Sequence, residues 1–409
     1  MQQISIFGQR YELEWLVDRS TGGQEVLRAA YDAGHTPLCM CRDDGVGISM
    51  YISRHTRYFV ARLPESGNLH SPSCPSYQEP VELSGRRNYT DTAMAERDDQ
   101  YFVSPGFALH GWWSAAVQTT PPASDREAKK HHVVGLTGLL NLLLDTSRFT
   151  TWHPKMGGKR NWPVFRHHVL SAAKRIHVAE DTLSECLFMP EGFDRSRREA
   201  QIDNLRNAID CITGRVDGTA RHLLLLGQVK AHTKTSRDDR IMVSHLPETP
   251  IWMPTAFRPL ITRAVAEFEP FGEAADCRLL ILAHLRVDSR GGFQMQDCAF
   301  QCVDREWIPV FSRLDQKMGT ELRGQGRSYS KLLRYETTSD PSFPDYLLLD
   351  VGDRPACLEI LSGFSSRRSQ KARLDAIAAR KAAGSPTWVW DVLATGTGNM
   401  PALPSALRY

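Results

Sequence analysis

Apolar residues recur with different periods along the chain, and these periods predict different elements. Short runs at Ile48–Ile52 and Tyr58–Arg62 have the length and the apolar, aromatic content of strands. The run Val133–Asp145 is long and rich in leucine, which predicts a buried helix, and apolar residues at helical spacing after Pro163 predict a second one. We therefore expect a small β unit followed by helices.

Strand patterns dominate the region after these helices. Leu223–Ala231, Leu279–Val287 and Phe293–Val303 are rich in apolar and β-branched residues, and Ser289–Gly292 has the composition of a hairpin turn joining the last two. In the C-terminal segment a helix precedes two strands, a second helix and a final strand, which is an α/β order. These elements are predicted at Leu314–Leu322, Tyr346–Val351, Ala356–Leu361, Ser369–Ala382 and Thr387–Val392.

The length of 409 residues exceeds that of one ordinary domain, so we predict an α+β multidomain protein. Its predicted parts are an N-terminal unit at residues 1–85, a connector at 86–130, a basic helical region at 131–215, a β-rich region at 216–312 and an α/β domain at 313–409. The connector is predicted to have little structure, because charged residues and prolines interrupt the apolar pattern there.

Composition restricts the class of protein. A hydrophobic fraction of 41% and a charged fraction of 24% are typical of a globular chain, and a net charge of +3 says little about partners. Nine cysteines spread over this length favour reduced thiols over a disulfide framework. No apolar run approaches the roughly 20 residues that span a bilayer, and the N-terminus lacks a signal-peptide pattern. We expect a soluble, cytoplasmic protein without a membrane partner.

Cysteine and histidine residues cluster in the N-terminal unit. Cys39 and Cys41 precede His70 and Cys74, and three thiolates with one imidazole are a common ligand set of structural zinc. Residues two apart in a strand lie about 6.6 Å from each other, whereas two sulfurs on one zinc lie less than about 4 Å apart. The chain must therefore bend between Cys39 and Cys41. Because four protein ligands leave no open position, the site is predicted to be structural.

Other assignments of these residues stay open at this point. His35 or His55 could replace His70 as the fourth ligand, and the cysteines could instead be unrelated buried thiols. Cys298 and Cys302 would lie about 13 Å apart in a strand, too far to hold one ion, so they are predicted as core residues.

A basic segment, Arg148–Arg175, follows the first predicted helix. Lysine and arginine side chains neutralise phosphates and indole faces stack on bases, so this composition favours nucleic-acid binding, with DNA expected rather than RNA. The alternative is a solvated helical face with tryptophans in the core. The candidate contact residues are Trp152, Lys155, Lys159, Arg160 and Trp162.

Two carboxylates should meet near the C-terminus. A hairpin formed by the predicted strands around Tyr346 and Leu358 sets Asp345 almost opposite Glu359. Paired carboxylates with waters are a common way to hold magnesium, so Mg²⁺ is a candidate second metal.

The element order and these acids resemble the PD-(D/E)xK nuclease superfamily. The resemblance implies Mg²⁺-dependent phosphodiester cleavage, with Glu321 on the preceding helix joining Asp345 and Glu359 as the acids. The superfamily's lysine two residues after the glutamate is Leu361 here, and Lys371 on the following helix is our candidate replacement. Basic neighbours on that helix could take the same place; they are Arg367, Arg368, Arg380 and Lys381. The alternative is a nuclease-like fold that binds nucleic acid or a partner without cutting.

Several blocks also resemble the bacterial domain-of-unknown-function family 1173. They are Leu38–Cys41, His70–Cys74, Trp152–Arg160, Arg327–Tyr335 and Pro344–Asp345. This resemblance implies cargo of conjugative and integrative mobile elements, with protein partners from the same element. Our hypothesis is a nucleic-acid-processing protein with a structural zinc and a Mg²⁺-dependent nuclease domain, and the alternative is a non-catalytic DNA- or RNA-binding or scaffold protein.

Overall fold

A computed structural model provides the structure of the chain. It describes residues 2–406, leaving out 19–21, 43, 55–56, 64–65, 73, 98, 109–129, 214, 217–218, 221, 247–248, 272–274, 288–291, 336–342, 353 and 364–365, as well as the side chains of 211–221. Most of the predicted turn Ser289–Gly292 lies outside the described residues. The fold is mixed α+β, as predicted.

The N-terminal sheet has five antiparallel strands. In spatial order they are Gln9–Glu12, Gln3–Ile6, Leu38–Cys39, Ile48–Arg54 and Tyr58–Arg62. Helices Leu13–Val17 and Gly23–Asp32 pack beside it. A Cβ on Gly23 would lie 2.4 Å from the Trp15 carbonyl oxygen, so the close approach of these two helices requires glycine. The two strands predicted in this region are confirmed.

A second sheet, of four strands, lies over the two predicted helices. Its strands are Asp181–Thr182, Ile176–Val178, Gln100–Val103 and Met94–Arg97, and the helices are Leu136–Thr146 and Trp162–Ala173. Two of these strands come from the predicted connector. The charged residues there belong to folded structure. The Glu96 carboxylate is half-buried between two arginines, with Oε1 2.6 Å from Arg62 Nη2 and Oε2 2.5 Å from Arg86 Nη1.

The middle of the chain forms a closed barrel, which we call the central barrel. Its strands, first to fifth, are Leu223–Thr233, Asp238–Val243, Ile251–Pro254, Arg278–Val287 and Phe293–Val303. The first strand pairs with both the second and the fourth, which closes the barrel. Gly227 allows this double pairing, since a Cβ there would lie 2.3 Å from Val243 Cγ1. Helix Arg258–Ala264 connects the third and fourth strands.

The C-terminal sheet has five strands. In spatial order they are Thr387–Asp391, Ala356–Leu361, Tyr346–Leu348, Tyr329–Lys331 and Thr151–Trp152. Helices Arg313–Gly324 and Arg367–Ala382 precede and interrupt its strands as predicted. The last strand of the sheet belongs to the basic segment, far away in sequence, so this sheet crosses a predicted domain boundary.

Smaller elements complete the described chain. They are helices Leu183–Cys186, Arg198–Thr213 and Val392–Thr395, strand Leu187–Phe188 at the edge of the central barrel, and the hairpin Arg215–Val216 with Thr219–Ala220. Within the described ranges, no helix combines the length and apolar character needed to cross a membrane.

The parts of the chain interlock through one large core. It runs from Tyr89 in the former connector to Tyr335 beside the C-terminal sheet and includes the leucines of helix Leu136–Thr146. Gly85 lies at a tightly packed point beside this core, since a Cβ there would lie 2.4 Å from the Tyr335 ring and 2.5 Å from the Leu333 carbonyl oxygen.

Replacing Gly85 with alanine should therefore lower the free energy of unfolding by about 1–3 kcal/mol, the usual cost of overpacking. Backbone lies on one side of the site, so the clash cannot be relieved by a side-chain rotation alone. Urea unfolding measures the change. Gly192→Ala, where nothing lies within 4 Å of the added atom, is the matched control. Equal stabilities of the two variants would contradict the packing described.

Candidate metal centre and carboxylate pair

Three separate segments bring the cysteine and histidine cluster together. Strand Leu38–Cys39 pairs with both Gln3–Ile6 and Ile48–Arg54, which fixes Cys39 in the sheet. The strand ends at Cys39, so Cys41 lies outside the strand. The bend between Cys39 and Cys41 expected from their spacing can occur there. A turn follows a short 3-10 helix, and its Cys74 backbone N–H donates to the Ser71 carbonyl at 2.8 Å.

The four ligand atoms have the spacing of a tetrahedral metal site. Cys39 Sγ lies 3.8 Å from Cys74 Sγ, and His70 Nδ1 lies 3.5 Å from Cys41 Sγ and 3.7 Å from Cys74 Sγ. All four atoms lie within 4.8 Å of one another. Ligands at about 2.3 Å from one tetrahedral ion lie roughly 3.8 Å apart. The cluster could hold a metal ion, as the sequence predicted for these four residues.

Polar groups around the cluster hold the sulfurs in place. Gln2 Nε2 donates to Cys39 Sγ at 3.2 Å, and the Ser71 backbone N–H donates to Cys41 Sγ at 3.2 Å. Donors aimed at sulfur stabilise the thiolate form that binds metal. Cys39, His70 and Cys74 are buried, and Cys41 is half-buried.

The alternative ligands do not join this cluster. The His35 ring packs against the Phe7 ring at a tilt of 32°, and its Nε2 accepts the Phe7 backbone N–H at 3.0 Å. His55 lies outside the described residues. Cys298 and Cys302 are buried in the core of the central barrel, as predicted.

The second candidate site lies on the C-terminal sheet. Tyr346 faces Leu358 in an antiparallel pair, which sets Asp345 opposite Glu359 as the hairpin predicted. The Asp345 backbone N–H donates to the Leu358 carbonyl at 2.9 Å, and Asp345 Oδ2 accepts the Ile360 N–H at 2.7 Å. Glu359 is completely buried.

Arginine side chains occupy the oxygens of both carboxylates. Nη2 of Arg373, on helix Arg367–Ala382, lies 2.7 Å from Asp345 Oδ2 and also contacts Glu359 Oε2. Arg334 Nη2 lies 3.1 Å from Asp345 Oδ1, and Arg380 contacts Glu359 Oε1. Arg373 is itself buried, so one guanidinium joins two strands to the helix that covers them.

The two carboxylates differ in their pKa. Burial raises the pKa of Glu359 to about 7, and the nearby Asp345 charge adds to this, while Arg373 and Arg380 act against it. Burial also acts to raise the pKa of Asp345, but the positive charges of Arg373 and Arg334 outweigh it and hold that pKa below its usual range.

The remaining predicted residues of this site lie elsewhere. Glu321 is exposed, and its Oε1 accepts from Gln325 Nε2 at 2.8 Å. Lys371 points to solvent from the same helix that supplies Arg373. The helix before the sheet instead contributes Asp315, whose Oδ1 lies 2.8 Å from Lys331 Nζ.

Sequence reasoning missed Arg373, although its spacing contained a signal. Arg373, Ile377 and Arg380 lie four and then three residues apart, which places them on one face of a helix. Ile377 is buried, so this face turns toward the sheet and carries both arginines to the carboxylates.

The arrangement does not fit a magnesium site. Magnesium needs carboxylate oxygens that are free to coordinate, together with several waters. Here each carboxylate oxygen of Asp345 and Glu359 contacts an arginine. Within the described part of the chain, the cysteine and histidine cluster alone brings three or more metal-ligand groups together.

The basic segment divides between core and surface. Trp152 and Trp162 are buried, with Trp162 Nε1 donating to the Pro190 carbonyl at 3.0 Å, so neither indole offers a face to a base in this conformation. Arg160 donates to the carbonyls of Glu306 at 3.1 Å and Phe149 at 3.4 Å. Lys155 and Lys159 are exposed.

The raised pKa of Glu359 predicts a pH-dependent stability. Its folded pKa of about 7 exceeds the ordinary value of 4.5, so the folded state holds this proton more tightly than the unfolded state. The resulting contribution to the free energy of unfolding is complete below pH 4.5 and is lost as the pH rises through about 7. Between about pH 5 and pH 8, the free energy of unfolding should fall by about 1–3 kcal/mol more in the wild type than in Glu359→Gln. Urea titrations across this range test it, and parallel curves would contradict it.

Comparison with known proteins places most of the chain in one family. No curated protein matches the chain. The family described as "Protein of unknown function (DUF1173)" matches residues 13–393, which is most of the 409. The match includes the cysteine and histidine cluster, the central barrel and the carboxylate pair. The chain therefore belongs to the DUF1173 family.

Proposed function

We propose that this protein binds nucleic acid for a mobile genetic element, that its N-terminal cluster is a structural zinc site, and that its C-terminal domain is a nuclease-like fold that does not cut. The observation that carries the last point is the buried Arg373 guanidinium, which contacts both Asp345 and Glu359. A cation that neutralises both acids occupies the place where a nuclease would hold its metal.

The element order of the C-terminal domain supports the relation to PD-(D/E)xK nucleases. A helix is followed by three antiparallel strands, a helix and a strand that runs parallel to its neighbour. Asp345 directly precedes the second of these strands, and Glu359 lies on the third, one residue beyond the partner of Tyr346. A lysine two residues after Glu359 is absent, since Leu361 is buried there.

Exposed cations support nucleic-acid binding. Lys155 and Lys159 lie at the surface beyond the short strand Thr151–Trp152, and Lys371 and Lys381 are exposed on helix Arg367–Ala382. Such side chains contact phosphates without reading bases. Partners from the same mobile element, and DNA as the nucleic acid, remain part of this proposal.

Zinc is the metal that the N-terminal donor set fits. Three sulfurs and one imidazole nitrogen suit zinc better than magnesium or calcium, which prefer oxygen. Four protein ligands close the coordination shell, so the ion would stabilise the fold and would not activate water.

Purified protein should therefore contain about one zinc per chain by elemental analysis. Cys74→Ala should lose the metal and lower the melting temperature, whereas His70→Cys should keep both, because a fourth thiolate completes the same tetrahedron. His35→Ala, a histidine outside the cluster, is the control and should retain the zinc. Metal-free wild-type protein with an unchanged melting temperature would contradict the assignment.

The wild type should bind DNA but fail to cleave single- or double-stranded DNA or RNA with Mg²⁺ or Mn²⁺. Asp345→Asn should unfold at a lower urea concentration, because it removes a charge that Arg373 and Arg334 surround. Its DNA affinity should be unchanged at a temperature where it is folded.

Lys155→Ala with Lys159→Ala should weaken DNA binding and reduce its salt dependence by about two phosphate contacts.

A Mg²⁺-dependent nuclease is the second candidate, favoured by the adjacency of Asp345 and Glu359. Metal-dependent cleavage by the wild type that Asp345→Asn abolishes, with the variant still folded by circular dichroism, would establish this candidate and overturn the non-catalytic proposal.

A further inference from the structure

The strands of the central barrel are ordered first, second, third, fifth and fourth around the barrel. Its first strand pairs through its N-terminal half with the fourth strand and through its C-terminal half with the second. The second pairs with the third, the third runs parallel to the fifth, and the fifth pairs with the fourth. A helix connects the third and fourth strands, and its Ile261 is buried in the barrel core. A closed five-stranded Greek-key barrel of this kind is the architecture of the OB-fold.

One side of the barrel is covered by the rest of the protein. Leu224 and Leu226 of the first strand and Leu280 and Leu282 of the fourth belong to the core that contains helix Leu136–Thr146. These residues alternate with others that fill the barrel itself. The covered parts are therefore the N-terminal halves of the first and fourth strands and the C-terminal half of the fifth, which contributes Ala299 and Val303.

A row of polar and aromatic side chains crosses all five strands of the barrel, outside the covered parts, and its middle members lie on the second and third strands. Direct cross-strand partners follow one another across the sheet. In spatial order this outer row is Thr233, Arg240, Trp252, Gln294 and Arg286.

The outer row faces away from the barrel core. Ile241, Ile251 and Phe293, which are chain neighbours of its members, are buried in that core. Successive residues of a strand point to opposite faces, so the row points outward. Arg240 and Arg286 are exposed, and Trp252 is half-exposed.

Arg240 is the direct cross-strand partner of Trp252, and further exposed cations lie on the first strand and in the turn that follows it. Lys230 is exposed on the first strand, and Lys234 and Arg237 are exposed in the turn that leads to the second. Arg240 has no ion-pair partner among the residues that the structure describes. Asp239, its neighbour, is buried and points the other way, bonded to Arg258 at 2.6 Å.

This combination fits a strand of unpaired nucleotides. An indole face stacks on any base, and flanking guanidinium and ammonium groups contact the backbone phosphates. A duplex hides its base faces, so it could use the cations but not the indole. Arg240 and Trp252 of the outer row lie on the second and third strands, the face through which OB-folds bind oligonucleotides.

We propose that the outer row of the central barrel is a binding site for single-stranded nucleic acid, with Trp252 stacking on a base and Arg240 contacting phosphate. The site is separate from Lys155 and Lys159, and it adds single-strand preference to the DNA binding proposed above.

Fluorescence anisotropy with a labelled oligothymidylate of about 16 nucleotides, near the upper site size of one such barrel, tests the proposal. Trp252→Ala should weaken binding about 5- to 100-fold, and Trp252→Phe should recover most of the loss, because stacking needs an aromatic ring. Arg240→Ala should reduce the slope of log affinity against log salt by about 0.7.

Matched controls come from the N-terminal unit. Trp15 is exposed on helix Leu13–Val17 and Arg28 on helix Gly23–Asp32, so Trp15→Ala and Arg28→Ala should leave both quantities unchanged. A duplex of the same length should bind more weakly than the single strand and should be insensitive to Trp252→Ala.

The outcomes separate this site from the general proposal. A folded Trp252→Ala protein that binds the oligothymidylate like the wild type would overturn the outer-row site while leaving DNA binding through Lys155 and Lys159 intact. A wild-type protein that binds neither single nor double strands would overturn both.

Discussion

The buried guanidinium of Arg373 is the contact on which the C-terminal domain depends. It lies between Asp345 and Glu359, which stand on neighbouring strands, and it comes from the helix that covers them. Removing one partner of a buried ion pair leaves an uncompensated charge and costs about 3–5 kcal/mol. The same contacts that stabilise the domain also occupy the carboxylate oxygens. Stability and metal coordination therefore compete for the same atoms, and the geometry favours stability.

The other parts of the protein are arranged around interlocked sheets. Strand Thr151–Trp152 completes the C-terminal sheet, and strand Met94–Arg97 belongs to the sheet that packs over helix Leu136–Thr146. Arg160 lies over the rings of Phe149 and Trp152 at 4.8 and 5.4 Å and donates to the carbonyl of Phe149 and to that of Glu306, which is far away in sequence. The basic side chains of that segment are thus partly structural, because buried carbonyl groups need hydrogen-bond donors. Exposed positive charge comes instead from lysines such as Lys155 and Lys159, and from Arg240 and Arg286 of the outer row.

Local patterns in the sequence were sufficient to predict several elements and the residues of the cluster that could hold a metal ion. Leucine-rich periodicity located helix Leu136–Thr146, and ligand type and pairing located Cys39, Cys41, His70 and Cys74. Features that depend on contacts between residues far apart in sequence could not be predicted from local patterns. Glu96 resembles a linker residue until Arg62 is placed beside it, and the closure of the central barrel depends on register between strands far apart in sequence. Glu321 matched a motif position, but the helix turns Asp315 toward Lys331 instead.

Calorimetric titration of the zinc-loaded protein with MgCl₂ measures metal binding at the carboxylate pair without requiring a substrate. Because Arg373 and Arg380 are bound to the carboxylates, we expect no saturable magnesium binding at millimolar concentration, and identical traces for the wild type and Asp345→Asn. Saturable binding by the wild type that Asp345→Asn eliminates would show that the metal displaces the arginines, and the carboxylate pair would then be a magnesium site.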